Sequence, residues 1–555
     1  MINRLYDNWI AILLAVLPFL LGGFFLWTSV LVSLALLAVL LVGLYRRKTI
    51  TISSSWGFLA PVIITAAYLL TVFWAQDRGM ALPGFFKFLP LGLLALAVWQ
   101  EPAEKRTVAL EVIPWSGAVM TVLCVPLSYL PLVDGHLLVN GRQGGLFEYP
   151  NTYALFLLLG LVILATRETY RWYHGILALV LLAGIFLSGS RTVFVLLLLA
   201  ALVLALARKG VVRIAVLVAV PLTVVAAAAY ALASGNTASI GRFLTTSLHS
   251  STLMGRLLYA HDALSVILRH PLGLGYGSYA VMQGSFQTGV YTVQSVHNDL
   301  LQLMLDAGWA PAGAVVIAVV KTIFRKGTTL RNRLVLSVLC AHALLDFSMQ
   351  FLAISAVLVL LLADGSPREV PIKKNDRRFL TAVCGVLMTG ALYFGAVSGL
   401  AYLGCHDATL ALDGAYTDSL MARMSSEEDL ARADDYARRI LALNRYAAPA
   451  YRVRAAYAYS QGDFQTVIDQ QRRAIACAPY DLSAYTDYLD MLSVGVQLYE
   501  SAGDTASAET CRQQMRQVPA LLQATIEKTS PLGWQIADKP ALTLPEKYLT
   551  MLNAL

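Results

Sequence analysis

Residues 172–207 read WYHGILALVLLAGIFLSGSRTVFVLLLLAALVLALA, two apolar runs separated only by Ser188-Gly189-Ser190-Arg191. Each run is close to the length that an α-helix needs to cross the hydrocarbon layer of a bilayer. Backbone amides cannot remain unpaired in lipid, so apolar runs of this length predict membrane-spanning helices. The short polar break predicts a hairpin whose turn, with Arg191 at its end, lies at one face of the membrane.

The same pattern recurs along most of the chain. Hydrophobic residues make up 57% of the sequence and charged residues 14%, which excludes an ordinary soluble protein. We therefore predict an all-α protein whose first part, residues 1–404, is a polytopic bundle of about 12–13 spans. The predicted spans are 9–26, 28–45, 56–74, 81–99, 110–130, 151–166, 172–189, 191–207, 211–233, 300–324, 332–346, 348–363 and 379–402.

The basic residues predict the topology. The formal net charge is +8, but the lysines and arginines form short clusters between apolar runs rather than one stripe, so nucleic acid is not an expected partner. With the N-terminus in the cytoplasm, the cluster at 46–48 and those in later loops all face the cytoplasm, as the positive-inside rule requires. We expect a multi-pass protein of the cytoplasmic membrane whose residues after about Cys405 are extracytoplasmic.

A second domain is predicted over residues 405–555. RRILALNRYAAPAY begins at Arg438 and RRAIACAPYDLSAY begins at Arg472, a period of 34 residues. This period and the small alanines resemble the tetratricopeptide repeat, which implies a soluble α-solenoid that could hold a protein partner. Equivalent positions in stacked repeats lie about 8–10 Å apart, so Cys477 and Cys511 are expected to be free thiols.

Three residues carry the strongest chemical signal. Arg191 follows the Ser-Gly-Ser break on the face where basic residues are disfavoured, and a guanidinium beside free backbone amides suits an anion. Arg256 opens an amphipathic stretch in a long segment between spans, and His297 comes directly before a later span. Each has a plainer explanation: a snorkelling arginine, a solvated surface charge, and a histidine beside a helix cap at Asn298 or Asp299. All three nevertheless fall on the same side of the membrane.

Weaker candidates surround these three. Ser190, Asn151, Asn298 and Arg142 are candidate contacts to a diphosphate or a sugar, although Arg142 could equally be a loop charge in a glycine-rich turn. His342 and Asp346 are four residues apart, which predicts one helix face and an intramembrane polar pair that is either functional or a hydrogen bond within the bundle. Between residues 234 and 296 the only carboxylate is Asp262, so we expect neither a metal nor a cofactor.

Four segments together resemble the bacterial O-antigen ligase and polymerase superfamily. They are NGRQGGLFEYPNTYA at 140–154, SGSR at 188–191, the MGR…DAL…HPLGLGYGSY run at 254–279, and VHNDLLQLMLDAGW at 296–309. The resemblance covers about residues 140–350, with 234–298 as the large extracytoplasmic loop. It implies that Arg191 and Arg256 bind a diphosphate and that His297 is the general base, although a role at the leaving group stays open for His297.

The function that this resemblance implies is glycan transfer. A membrane glycosyltransferase would move a glycan from undecaprenyl diphosphate to an acceptor hydroxyl on the outer face of the cytoplasmic membrane, without a metal and with inversion. Whether the acceptor is another lipid-linked glycan, a lipid, a wall polymer or a protein is left open, and so is ligase against polymerase. The alternative is a flippase or transporter of lipid-linked glycans with a scaffold domain, in which no bond is broken.

Overall fold

The computed structural model describes residues 2–130, 134–210, 212–218 and 251–555, together with residues 221, 222, 225 and 229. Most of the predicted span 211–233, and the loop up to residue 250, therefore lie outside the described residues. The described part is mostly helical. Up to residue 402 its helices include Ile2–Asp7, Trp9–Val16, Leu26–Arg46, Trp56–Thr71, Arg78–Val98, Ala103–Ala109, Val112–Leu127, Asp134–Leu137, Pro150–Ala165, Trp172–Leu187, Arg191–Ala207, Ser251–Arg269, Ser278–Phe286, Asp299–Ala307, Trp309–Phe324, Leu330–Ala343, Leu352–Leu362 and Lys374–Tyr402, and residues 212–218 are also helical.

These helices support a multi-pass membrane protein. Four helical stretches are long and apolar enough to cross a membrane: Leu26–Arg46, Arg78–Val98, Ala103–Leu127 and Lys374–Tyr402. Shorter apolar helices accompany them at Trp9–Phe19, Trp56–Thr71, Pro150–Ala165, Trp172–Leu187, Arg191–Ala207, Trp309–Phe324 and Leu352–Leu362. Arg78–Val98 is the most enclosed of the four, with 89% of its apolar window buried.

Three predicted spans end or break where the sequence pattern does not. The run 9–26 leaves the α-helix at Val16 and continues as two 3-10 turns, with positive φ at Leu21 and Gly22. The apolar run 300–324 is interrupted at Gly308, whose φ of +91° separates Asp299–Ala307 from Trp309–Phe324. A Cβ on Gly308 would lie 2.6 Å from the carbonyl oxygen of Pro271, so the break lets the loop cross closely. The run 332–346 also ends early, because its helix stops at Ala343.

Short strands and 3-10 turns close the loops at the two ends of the bundle. Thr49–Ile52 pairs antiparallel with Arg368–Pro371, and Leu138–Val139 pairs antiparallel with Arg142–Gln143. The second hairpin fixes the backbone that carries Arg142. The 3-10 turns are Leu17–Phe19, Leu21–Gly23, Gly145–Phe147 and Ser348–Gln350.

The described part of the loop is held by one buried carboxylate. Asp262 is 1% exposed and accepts hydrogen bonds from Thr288, through the backbone amide at 2.8 Å and the hydroxyl at 2.7 Å, and from the Tyr291 hydroxyl at 2.9 Å. The backbone at Gly273 has a φ of +81°, and a Cβ there would lie 2.6 Å from the carbonyl oxygen of Asp306. The Asp262 contacts tie helix Ser251–Arg269 to the segment 288–291, and the approach at Gly273 packs the turn after this helix against the end of Asp299–Ala307.

Beyond residue 402 successive helices pack against one another in chain order, and Leu430–Leu443 and Phe464–Cys477 are clearly amphipathic. They are His406–Leu412, Thr417–Ser426, Leu430–Leu443, Ala448–Ser460, Phe464–Cys477, Leu482–Ser501, Thr505–Lys528 and Glu546–Asn553. The helix starts at Leu430 and Phe464 repeat the 34-residue period of the sequence. The tetratricopeptide assignment itself stays a prediction. All six cysteines are free thiols, as expected for Cys477 and Cys511.

Candidate functional site

The candidate site is built around Asp346. This residue lies in the bend between helix Leu330–Ala343 and the 3-10 turn Ser348–Gln350, and its side chain is 0% exposed. Its Oδ1 accepts a hydrogen bond from the Tyr149 hydroxyl at 2.8 Å, and its Oδ2 accepts one from Asn151 Nδ2 at 2.7 Å. A buried carboxylate needs such donors, because an unpaired charge is costly to remove from water.

Two of the three principal candidates contact the same carboxylate. Arg256 Nη2 lies 3.2 Å from Asp346 Oδ2, and His297 Nδ1 lies 3.3 Å from Asp346 Oδ1. Their side chains are only 16% and 22% exposed. Asp346 therefore holds a guanidinium and an imidazole from two distant segments beside one another.

The backbone of His297 is constrained on both sides. Its φ of +54° is in the left-handed region, which a non-glycine residue adopts only when the surroundings impose it. The Val296 amide before it donates to Gln302 Oε1, and Asn298 after it caps helix Asp299–Ala307 by accepting from the Leu301 amide. With Nδ1 facing Asp346, the other ring nitrogen, Nε2, is the one that can face a substrate.

A second arm of hydrogen bonds connects Asp346 to the Ser-Gly-Ser break. Asn151, which donates to Asp346, accepts from Arg142 Nη2 at 2.8 Å, and Arg142 Nε donates to the carbonyl oxygen of Ser188 at 2.7 Å. Arg191 follows three residues later, as the first residue of helix Arg191–Ala207. The arm thus links the backbone just before Arg191 to the carboxylate that holds Arg256 and His297.

Ser190 lies beside the end of this second arm, and its hydroxyl makes no hydrogen bond to the described residues. The residue is 1% exposed, its amide donates to Ser188 Oγ at 3.2 Å, and its own Oγ has no hydrogen-bond partner in the described structure. Leaving a buried hydroxyl unpaired costs free energy, unless a ligand completes it. This favours an acceptor-rich ligand beside Arg191.

The structure corrects the expected helix face of His342 and Asp346, although the two side chains still interact electrostatically. Helix Leu330–Ala343 ends before Asp346, so the two residues do not share a helix face. His342 Nδ1 instead lies 3.3 Å from the hydroxyl of Ser348, while Asp346 turns to Arg256 and His297.

Two other residues have roles that the sequence left open or missed. Asn298 Nδ2 donates to the carbonyl oxygen of Leu344 at 2.9 Å, so this side chain both caps its helix and fastens the bend before Asp346. Tyr149 was not expected at the site. The only feature of the sequence that points to Tyr149 is its position in FEYPN, two residues before Asn151.

An apolar cavity of about 330 Å³ approaches the site from the side of the bundle. Helices Trp56–Thr71, Trp309–Phe324 and Leu352–Leu362 supply most of its lining, and Val316 and Val320, which are 42% and 47% exposed, open it to the side. Its polar end is formed by Asp299 and Gln350, on either side of the bend at Asp346, and the Met349 amide donates to Asp299 Oδ2 at 2.9 Å.

Comparison with known families gives one match. The model of the O-antigen ligase family matches residues 176–317, a segment that contains Arg191, Arg256 and His297. No curated protein matched the chain. This segment of the chain is therefore similar to the O-antigen ligase family, and the apolar helices support a multi-pass membrane protein. The matched segment ends before Asp346 and begins after Arg142 and Asn151.

Proposed function

We propose that this protein is a membrane glycosyltransferase that moves a glycan from undecaprenyl diphosphate to an acceptor hydroxyl on the outer face of the cytoplasmic membrane. The observation that carries the proposal is the contact of Asp346 with both Arg256 and His297. A cation for a departing phosphate and an imidazole for an incoming hydroxyl are the two groups that such a transfer needs.

The cavity and the cations suit a donor that keeps its lipid tail in the membrane. An isoprenoid chain is entirely apolar, and the laterally open cavity ends within a few residues of Asp346. Arg256 and Arg191 would bind the diphosphate, with Arg142 and the hydroxyl of Ser190 completing its shell. Guanidinium groups suit this role because they bind phosphate oxygens through paired N–H groups.

His297 would act on the acceptor. Its Nε2 takes the proton of the acceptor hydroxyl as that oxygen attacks the anomeric carbon, and the bond from this carbon to the diphosphate oxygen breaks. The electron pair leaves with the diphosphate, whose added charge the arginines neutralise. A single displacement of this kind inverts the anomeric carbon. Asp346 keeps the proton on Nδ1, so that Nε2 is the basic nitrogen.

The transfer is proposed to need no metal. Among the described residues, no group of three or more histidine, cysteine, aspartate or glutamate side chains is placed to hold a metal ion. The arginines supply the positive charge that a divalent cation supplies in many phosphate sites. Activity is therefore expected to persist in EDTA, and its collapse would argue for a metal.

The experiment is transfer by the purified full-length protein in lipid nanodiscs. The substrate is a prenyl diphosphate carrying a labelled oligosaccharide, and the measured products are free prenyl diphosphate and the extended glycan. His297→Ala is expected to lower the rate by about 10²–10⁴, and Arg191→Ala is expected to weaken donor use.

Matched controls come from the same loop. His270→Ala and Arg269→Ala remove the same side-chain types from residues that lie outside the Asp346 network, and both are expected to leave transfer near the wild-type rate. Movement of the lipid-linked glycan between leaflets with no release of prenyl diphosphate would favour the transporter instead. Full activity in both His297→Ala and Arg191→Ala would overturn the proposal.

A further inference from the structure

A second cavity, of about 490 Å³, lies where the C-terminal helices meet the membrane helices. We call it the interface cavity. Its lining combines aromatic rings, amides and carboxylates, which is the mixture that binds sugars: rings cover the apolar faces of a pyranose while amides and carboxylates bind its hydroxyls. The rings include Trp27, Tyr276 and Tyr402, and the polar groups include Gln294, Gln350 and Asp418.

The C-terminal wall of this cavity is fixed by a buried carboxylate of the membrane region. Asp77 is 3% exposed, and its two oxygens accept from the Thr417 hydroxyl at 2.8 Å and from Asn444 Nδ2 at 3.2 Å. Asp77 also caps helix Arg78–Val98 by accepting from the Met80 amide at 3.1 Å. Thr417 is the neighbour of Asp418, so the docking contact places Asp418 in the cavity wall.

The interface cavity is lined by residues of the same two segments that carry His297 and Asp346. Gln294 and Ser295 precede His297 by only two or three residues, and Gln350 follows the bend at Asp346. Gln302 and Gln350 line both this cavity and the apolar cavity. The two cavities therefore share a wall at Gln302 and Gln350.

The charged residues in the lining of the interface cavity indicate which substrate it can bind. The carboxylates in the lining of the interface cavity are Asp77, Asp306 and Asp418, against the single ammonium of Lys87. A diphosphate is repelled by such a wall, so the donor's phosphates belong with Arg191 and Arg256. The acceptor, which carries the attacking hydroxyl, is therefore the substrate that suits the interface cavity.

Asp418 differs from the other two carboxylates of this lining because no donor of the described residues occupies it. Asp77 is occupied by Thr417 and Asn444, and Asp306 accepts from the Tyr68 hydroxyl at 3.0 Å and from Gln302 Nε2 at 2.9 Å. No hydrogen bond or salt bridge joins the carboxylate of Asp418 to another described residue. Asp418 is exposed at the cavity wall, so its oxygens are open to a hydrogen-bond donor on a ligand.

We propose that the interface cavity binds the acceptor sugar that carries the attacking hydroxyl, and that its carboxylates select neutral or amine-bearing sugars over acidic ones. This rests on the proposed glycan transfer. Hydroxyl and ammonium groups donate to Asp418, which is exposed at the cavity wall, whereas the carboxylate of a uronic acid would meet like charge there. The C-terminal helices thus form part of the acceptor site as well as a surface for partners.

The test measures binding separately from transfer. Trimers of glucosamine, N-acetylglucosamine and galacturonic acid, which differ in charge, are added to the full-length protein in nanodiscs, and binding is followed by saturation-transfer NMR. The glucosamine and N-acetylglucosamine trimers are expected to bind at least tenfold more tightly than the galacturonic acid trimer. Asp418→Asn is expected to reduce the preference for glucosamine over galacturonate about tenfold.

Two further variants keep the test decisive. Asp435→Asn removes an exposed carboxylate of the same C-terminal region and is expected to change nothing. Ala280→Trp fills the cavity from helix Ser278–Phe286 and is expected to abolish binding of all three trimers, with a melting temperature near that of the wild type as the check on folding.

The outcomes separate this inference from the proposed transfer. No trimer binding, equal binding of the acidic trimer, or an unchanged preference in Asp418→Asn overturns the acceptor site, even if transfer from the lipid-linked donor is observed. His297→Ala is expected to bind the trimers like the wild type while its rate of glycan transfer falls as stated above. Selective binding without transfer by the wild-type protein would instead overturn the proposed function and leave a sugar-binding cavity.

Discussion

Nδ1 of His297 lies 3.3 Å from Oδ1 of Asp346, although the two residues are 49 positions apart in the sequence. The same carboxylate reaches Arg256 through its other oxygen. One buried anion therefore sets the positions of both the imidazole and the guanidinium. Asp346 is a positioning residue in this arrangement, because it acts through His297 and Arg256 rather than on a substrate.

Asp346→Asn tests that positioning. The amide keeps the size of the side chain but loses the charge, so the His297 ring is no longer held in one tautomer. We expect kcat to fall by about 10²-fold or more with little change in KM for the acceptor. Ser348→Ala, in the adjoining turn, is the control and should keep most of the activity. A full kcat in Asp346→Asn would contradict the proposed orientation of His297.

Arg256→Lys tests the geometry of the diphosphate contact. Lysine keeps the charge but lacks the planar fork, so we expect kcat/KM for the lipid-linked donor to fall about tenfold. Arg256→Gln removes the charge as well and should cost more. The measurement is the donor dependence of the rate, with Arg269→Lys as the matched control. Equal rates for Arg256→Lys and Arg256→Gln would show that charge is not what this side chain provides.

The sequence predicted the helices well, because apolar runs in lipid have few alternatives to helix. The expected spans 151–166, 172–189 and 191–207 correspond to Pro150–Ala165, Trp172–Leu187 and Arg191–Ala207. The break at Gly308 was not predicted. It depends on the close approach of Pro271, a tertiary contact that hydropathy does not encode.

The site was only partly predictable for the same reason. Arg256, His297 and Asn151 could be nominated from their sequence surroundings, and the structure brings them to one carboxylate. Asp346 looked like the partner of His342, because helical spacing puts residues four apart on one face. No glycine or proline marks the helix end at Ala343, so the sequence does not indicate that the helix stops before Asp346.

Asp77→Ala tests the docking of the C-terminal helices. The substitution leaves Thr417 and Asn444 without their buried acceptor, and each buried unpaired group costs about 1–3 kcal/mol. We expect a lower melting temperature and faster release of the C-terminal helices by trypsin. Asp504→Ala, which removes an exposed helix cap of that region, is the control and should not speed this release. An unchanged digestion pattern in Asp77→Ala would mean that other contacts hold the two parts together.

Gly284→Ala tests the contact between the loop and the C-terminal helices. A Cβ at this position would overlap the carbonyl oxygen of Cys477, so helices Ser278–Phe286 and Phe464–Cys477 would have to move apart. Such overpacking costs about 1–3 kcal/mol. We expect a lower melting temperature and weaker acceptor use. Gly313→Ala, which meets no atom within 4 Å, should be neutral or slightly stabilising. A neutral Gly284→Ala would show that this contact yields easily.

Labelling of Cys405 tests on which side of the membrane the C-terminal helices lie. This cysteine is exposed just after helix Lys374–Tyr402, whose 29 residues extend about 43 Å at 1.5 Å per residue, enough to cross a bilayer. A membrane-impermeant maleimide is expected to label Cys405 in intact spheroplasts and to spare the buried Cys511. In a Cys405→Ser background, Ser366→Cys, on the far side of that helix, should react only after permeabilisation. The reverse pattern would place Arg191, Arg256 and His297 at the cytoplasmic face, where a donor on the outer leaflet could not reach them.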